Sequence, residues 1–244
     1  MLGRVTFVLA VLALFGLRWL ITYHSEAFLP QTMSAARLAV FAVPGILTSG
    51  AAILLAVHWR LFRKEELGLA PTDWQLRYRV TGLRFAFFLL GLFLVFAFLY
   101  ALPPINYAYS QGLSHAEFLE ELRRFEYRST LEAYEPISAA GLALSFFDGS
   151  IHAPLAEEVP CRALLVPLVQ PWIGRFGTAL CSGVVFFLLH WLVYGLGPEP
   201  SHFFSGAIFA YLFMYAGLGA SLAAHAGGNA GIWLLAVYAA FAAE

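Results

Sequence analysis

The chain has 244 residues, 61% of them hydrophobic and only 12% charged, with a net charge of −1 at pH 7. A soluble domain carries about 25% charged residues, so soluble globular and disordered classes are both excluded. The near-zero net charge supplies no global field to recruit nucleic acid or an acidic substrate. The two cysteines, Cys161 and Cys181, make neither a disulfide framework nor a zinc knuckle.

A membrane span takes about 20 mostly apolar residues. In chain order the candidates are Val5–Thr22, Leu38–His58 with Pro44 and Gly45 as a kink, and Leu83–Leu102. Then come Ile137–Trp172, Thr178–Leu196, Phe203–Leu218 and Ser221–Ala242. Ile137–Trp172 is too long for one straight span and contains Asp148, Pro154, Glu157, Glu158, Pro160 and Arg162, so it reads as a kinked or broken helix. The fold class is an all-α, polytopic transmembrane helical bundle of about seven to eight spans. The first run follows Arg4, is interrupted by Arg18 and lacks a small-x-small cleavage site, so it reads as a retained helix rather than a cleaved signal.

Six basic residues between Arg60 and Arg84 (Arg60, Arg63, Lys64, Arg77, Arg79, Arg84) place that segment on the cytoplasmic side. The N-terminus and Arg175 then lie inside, and the loop Pro103–Pro136 and Glu244 outside. Thirteen of the 14 basic residues are arginine, which with the high alanine content fits a GC-rich bacterial genome and a bacterial cytoplasmic membrane. In the outer loop, Ser114 to Glu117 matches a capping box. Phe118, Leu122 and Phe125 recur on one face of the helix that follows. That helix either lies on the membrane surface or packs on the spans. The chain divides at 1–136, apolar helices with the basic loop and the outer segment, and 137–244, which holds the polar residues of interest.

Ionisable groups inside spans are costly and are functional candidates by default. Glu157, Glu158 and Arg162 share one apolar segment, His190 sits in the next, and His225 and Asn229 sit in the last. Glu158 and Arg162 stand at i, i+4 and can pair. Glu157 is rotated about 100° from Glu158. Two carboxylates in one low-dielectric site do not both ionise cheaply. Arg162 holds one charged, which leaves the other to exchange a proton as a general base or acid. Gly227 and Gly228, between His225 and Asn229, let another backbone approach. At 1.5 Å per residue, His190 lies about 20 Å and His225 about 9 Å from the cytoplasmic ends of their spans, so straight helices would not bring them level.

These residues form three ordered motifs: Glu157-Glu158-x-x-x-Arg162, Phe186-x-x-x-His190 and His225-x-x-x-Asn229. In order and spacing the chain resembles the CPBP family of intramembrane glutamic-type proteases, the CAAX-protease and bacteriocin-processing (Abi-like) group, from about Leu142 to Ala240. The resemblance implies that Glu157 activates water, with His190 sharing the task, and that Glu158 with Arg162 is a positioning pair. It further implies that His225 and Asn229 stabilise an oxyanion, a role in which a single donor is worth about 3–4 kcal/mol. The flanking residues Cys161 and Ala163 depart from the aromatic residue and glycine common beside the arginine in bacterial relatives, and Pro160 removes a helix hydrogen bond inside the motif.

Four functions compete for these residues. The first is an endopeptidase acting on a membrane-embedded or membrane-anchored protein, in one version on a C-terminal sorting or processing signal. It needs no cofactor or metal, and its partners are the bilayer and that substrate, with no nucleic acid. The second is a non-catalytic membrane scaffold or immunity protein, which the intact polar positions oppose. The third is a proton-coupled transporter, for which an inverted repeat is missing. The fourth is a zinc hydrolase built on His190, His225 and Glu157, for which no His-Glu-x-x-His occurs. Phe186 reads as packing around His190, and Cys161 as a small apolar-like residue. His24, His58, His115, His152 and His202 read as interfacial. Asp148 either lines the pocket or ends a helix.

Overall fold

A computed structural model describes residues 2–25, 35–134, 137–193 and 198–242, and every regular element among them is helical. The end of the expected span at Leu196, and Glu244, lie outside the described residues, as do the side chains of Arg18 and His24. The helices are α1 (Leu2–Ser25), α2 (Ala35–His58), α3 (Asp73–Arg77), α4 (Leu83–Gln111), α5 (His115–Leu122), α6 (Arg128–Thr130), α7 (Ala139–Phe147), α8 (Ala153–Glu158), α9 (Leu165–Leu188) and α10 (Pro200–Phe241). Wide π-type turns occupy Arg123–Tyr127, Asp148–His152, Val159–Leu164 and Leu189–Val193.

Among the described residues three stretches are long and apolar enough to cross a membrane: Leu83–Gln111, Ala139–Leu192 and Pro200–Phe241. Helix α4 is apolar on every side, yet of its residues only Phe96, Ala97 and Ala108 are buried. Such a helix is stable only in a lipid-like solvent, so the protein is an integral membrane protein. Pro103 and Pro104, expected to open a loop, lie inside α4. Each removes one N–H, but helix continues around them and stops only at Gly112. Helix α10 has 42 residues, about 63 Å at 1.5 Å per residue, twice the ~30 Å hydrocarbon core. Gly217, with φ 80°, breaks it, and Gly174, with φ 65°, breaks α9. Gly174 falls between the expected spans that end at Trp172 and begin at Thr178, whereas Gly217 falls just inside the expected span Phe203–Leu218.

The chain forms two compact units. The first comprises Met1–Leu29, Pro44–Leu89 and Leu155–Leu222, and the second Pro30–Val43, Leu90–Pro154 and Ala223–Glu244. In the first, Val8, Phe15, Ala52, Ala56, Phe62 and Val159 pack into one apolar core. The basic segment after α2 is tied down within it: Leu218 N–H donates to the Gly68 carbonyl at 3.1 Å. The fit leaves no room for a side chain, because a Cβ on Gly68 would meet the Leu218 nitrogen at 2.6 Å. In the second, α5 has the expected capping box, with Ser114 and Glu117 exchanging hydrogen bonds. Its Leu119 and Leu122 are buried, and Leu122 packs with Leu235 and Ala239 of α10. Phe125, expected on the apolar face, is exposed, because the wide turn at Arg123–Tyr127 shifts the helical phase after Leu122. Of the two readings of this helix, packing on the spans is the one observed.

Candidate active site

Two of the wide turns hold motif residues, and a third, Asp148–His152, accepts a hydrogen bond from Asn229 at Gly149. Wide turns open where one residue too many is fitted into a helix, and they gather at functional sites. Val159–Leu164 contains Pro160 and Arg162, and Leu189–Val193 contains His190. Pro160, which lacks the N–H a regular turn would use, lies within such a turn.

In the first unit the ion pair expected from spacing is formed. Arg162 Nη1 is 3.2 Å from Glu158 Oε1, and both side chains are fully buried. Ser221 Oγ donates to Glu158 Oε2, so both carboxylate oxygens are engaged. Among the described residues no guanidinium N–H of Arg162 is aligned for a hydrogen bond, so the ion pair is Coulombic rather than bidentate. The guanidinium instead lies over the Phe186 ring at 4.3 Å and the Phe209 ring at 5.4 Å. A desolvated cation–π contact is worth about 2 kcal/mol, which helps to hold a buried cation.

Phe186 therefore does more than fill space beside His190. Its ring centroid is 4.3 Å from that of His190, and its carbonyl lies 2.9 Å from His190 Nδ1. A carbonyl only accepts, so Nδ1 carries the hydrogen, and when the ring is neutral its lone pair is on Nε2. Nε2 is 3.8 Å from Glu157 Oε2, and Glu157 is 5% exposed. In that form two acceptor atoms face one another across a gap too long for a direct hydrogen bond and suited to a shared donor.

His202, read as interfacial, stacks on His190 with ring centroids 4.0 Å apart and planes 20° apart. The backbones permit this because of two glycines. A Cβ on Gly206 would meet Phe186 Cβ at 2.7 Å, and one on Gly183 the Phe203 carbonyl at 2.7 Å. Ser182 Oγ bridges the same seam, 3.4 Å from both the Cys161 and Gly206 carbonyls. Cys161 is fully buried there. Neither Ser221 nor His202 was singled out from sequence. The signal for Ser221 was a hydroxyl four residues before His225 in the same apolar helix. For His202 there was none, since its partner lies in another helix.

His225 and Asn229 belong to the second unit. His225 is 5% exposed, and Asn229 Nδ2 donates to the Gly149 carbonyl at 2.7 Å. The expected close backbone approach is real: a Cβ on Gly227 would stand 2.2 Å from the Phe93 carbonyl of α4. Gly231, one turn on and not noted in the sequence, does the same against Ala97 at 2.1 Å. His152, expected at an interface, is 2% exposed, because its Nδ1 is 2.8 Å from Asp148 Oδ1. Tyr134 Oη donates to the other oxygen of Asp148 at 3.0 Å, which makes Asp148 a structural partner of this unit. Among the described residues no three His, Cys, Asp or Glu side chains are grouped to hold a metal ion.

No curated protein and no solved structure matches the chain. Residues 139–231 match the model of the family described as Type II CAAX prenyl endopeptidase Rce1-like, and all three motifs fall inside this segment, which is similar to that family.

Proposed function

We propose that this protein is an intramembrane endopeptidase in which Glu157 and His190 together activate a water molecule. The observation that carries the reading is the 3.8 Å separation of His190 Nε2 from Glu157 Oε2, with Nδ1 of the same ring anchored to the Phe186 carbonyl. A water placed between two acceptors gives one O–H to each and turns an oxygen lone pair outward. That lone pair attacks the scissile carbonyl carbon, and the water proton passes to the Glu157–His190 pair. A C–O bond forms, the carbonyl oxygen becomes an oxyanion, and the C–N bond breaks as the held proton moves to the leaving amine. Glu158, neutralised by Arg162 and bonded by Ser221, keeps the segment that carries Glu157 in place. His225 is the oxyanion donor, as the resemblance implies. Asn229 contributes at most one N–H to that task, since its other one is directed at Gly149.

The substrate is a protein with one transmembrane or lipid-anchored segment, cut within or beside it. Water is scarce in the bilayer, and a soluble peptide would pay several kcal/mol for each backbone group brought there unpaired. The seven-span topology, the bacterial cytoplasmic membrane, and a C-terminal sorting or prenylated tail as the substrate belong to the same proposal. The test uses purified protein in vesicles and a reporter carrying a hydrophobic C-terminal anchor, with a second reporter whose anchor core is replaced by Ser and Gly. Cleavage of the anchored reporter alone is expected. Equal cleavage of the soluble one rules out this substrate class, and cleavage of neither across a panel of transmembrane and prenylated tails rules out the protease.

A further inference from the structure

We infer that His202 is a positioning residue whose ring fixes the plane of His190. The inference rests on the proposed hydrolytic reading for its activity arm and on geometry for the remainder. His190 is anchored along one edge by Nδ1–H to the Phe186 carbonyl at 2.9 Å. The chain holds the ring at Cβ and the hydrogen bond holds it at Nδ1, which leaves rocking about the Cβ–Cγ bond within the width of a hydrogen bond. The Phe186 ring, tilted 53° at 4.3 Å, meets the imidazole at an angle and not face to face. The His202 ring lies against the face at 4.0 Å and 20°, and two flat surfaces so close remove the remaining turn. With the plane fixed, Nε2 stays directed at Glu157 Oε2, 3.8 Å away.

The fold builds this contact deliberately. His202 is in the first turn of α10, and Gly206 sits one turn further along on Phe186 Cβ, where any side chain would collide. The seam that lets α9 and α10 touch is therefore the one that sets His202 on His190. Charged and titratable groups around the ring among the described residues include Glu157 beside Nε2, Arg162 across the Phe186 ring, Glu158 paired with Arg162, and His202 itself. Of these, only His202 presents a flat face to the imidazole.

The test compares the native protein with His202→Phe, which keeps the flat face, and His202→Leu, which fills the space without one. Misplacement of a reacting group by about 1 Å costs on the order of 100-fold, so a partly freed ring should lose at least about tenfold. For His202→Leu, kcat should fall by that factor with KM unchanged, while His202→Phe keeps kcat close to native. A second readout needs no activity: histidine-labelled protein is followed by NMR, with the His190 imidazole signals assigned through His190→Gln. Those signals should move in His202→Leu and stay near their native position in His202→Phe. Unmoved His190 signals in His202→Leu overturn the inference, as does native kcat in that variant. So does a His202→Phe variant as impaired as His202→Leu, since then the nitrogens and not the flat face matter. If the native protein cleaves nothing, the protease reading fails, and the imidazole signals still decide whether His202 positions His190.

Discussion

The side-chain amide of Asn229 donates to the carbonyl of Gly149 at 2.7 Å. The reason lies in the wide turn Asp148–His152, where the N–H of Ala153 reaches back to the Asp148 carbonyl. The next N–H in that register would come from residue 154, which is proline and has none. The Gly149 carbonyl therefore has no donor within its helix, and a motif residue from α10 supplies one.

This relationship predicts coupling. Asn229→Leu leaves a carbonyl unsatisfied at a cost of about 1–3 kcal/mol, seen as a lower Tm in detergent. Adding Pro154→Ala supplies the missing N–H, so the double variant should recover part of that loss while Pro154→Ala alone gains nothing from it. Strictly additive effects in the four-protein cycle would mean that Asn229 and Pro154 do not answer one another.

The base is tested by Glu157→Gln, which keeps the shape of the side chain and removes its proton affinity. Cleavage should fall at least about 100-fold, the lower end for acid–base catalysis, with folding intact. Native turnover in the purified variant would refute the mechanism. Cys161→Ser and a metal chelator should both leave turnover unchanged. Inhibition by the chelator that zinc reverses would favour a metal centre instead.

Arg162→Ala strands the Glu158 charge in a fully buried site. Removing one partner of a buried pair costs about 3–5 kcal/mol, so folded protein should be lost along with activity. Arg162→Lys keeps the charge but not the planar group that lies over Phe186 and Phe209, and should be intermediate. Equal Tm values for native and Arg162→Ala would remove the ion pair from the account.

Much of this was legible in the sequence, for stated reasons. The Glu158–Arg162 pair, the Ser114 capping box and the glycine approach beside His225 each depend on residues close in the chain, where helical spacing fixes who meets whom. The break at Gly174 shows as an interruption between apolar runs, and the one at Gly217 comes two residues before the interruption the sequence places at 219–220. What sequence missed was set by packing between helices or by the wide turns. The stack of His202 on His190 follows from Gly183 and Gly206 meeting across a seam, and the burial of His152 from its bond to Asp148. Phe125 was assigned to the apolar face because a 3.6-residue period was carried through a turn that does not keep it.

A pH-dependent contribution is expected from Glu66, in the basic segment after α2. Partial burial alone would raise its pKa. The hydrogen bond from the Arg63 backbone N–H and the contact with the Arg4 guanidinium outweigh that, and the net shift is downward. A carboxylate with a lowered pKa in the folded state stabilises the fold above its unfolded pKa, and the contribution is lost as pH falls through the folded one. Glu66→Gln should therefore lower the stability slightly at neutral pH, by no more than about 1 kcal/mol for a partly exposed pair, read as a small drop in Tm. The difference from native should vanish once the pH has fallen below the folded pKa. A difference that grows on acidification would contradict the sign.

The last prediction concerns the seam between α10 and α4. Ala at 227 would place a Cβ 2.2 Å from the Phe93 carbonyl, and Ala at 231 one 2.1 Å from the Ala97 carbonyl. Both obstacles are backbone, which cannot rotate away as a side-chain tip can, so the helices must separate. Overpacking costs about 1–3 kcal/mol and here acts next to His225, so Gly227→Ala should lower both Tm and turnover. Gly231→Ala, six residues from His225, should lower Tm with a smaller effect on turnover. The control is Gly91→Ala in α4, where nothing lies within 4 Å of the added methyl. There the intrinsic helix preference of about 1 kcal/mol for alanine over glycine should leave the Tm unchanged or raise it. If Gly227→Ala were as stable as Gly91→Ala, the close approach of the two backbones would not exist in the membrane.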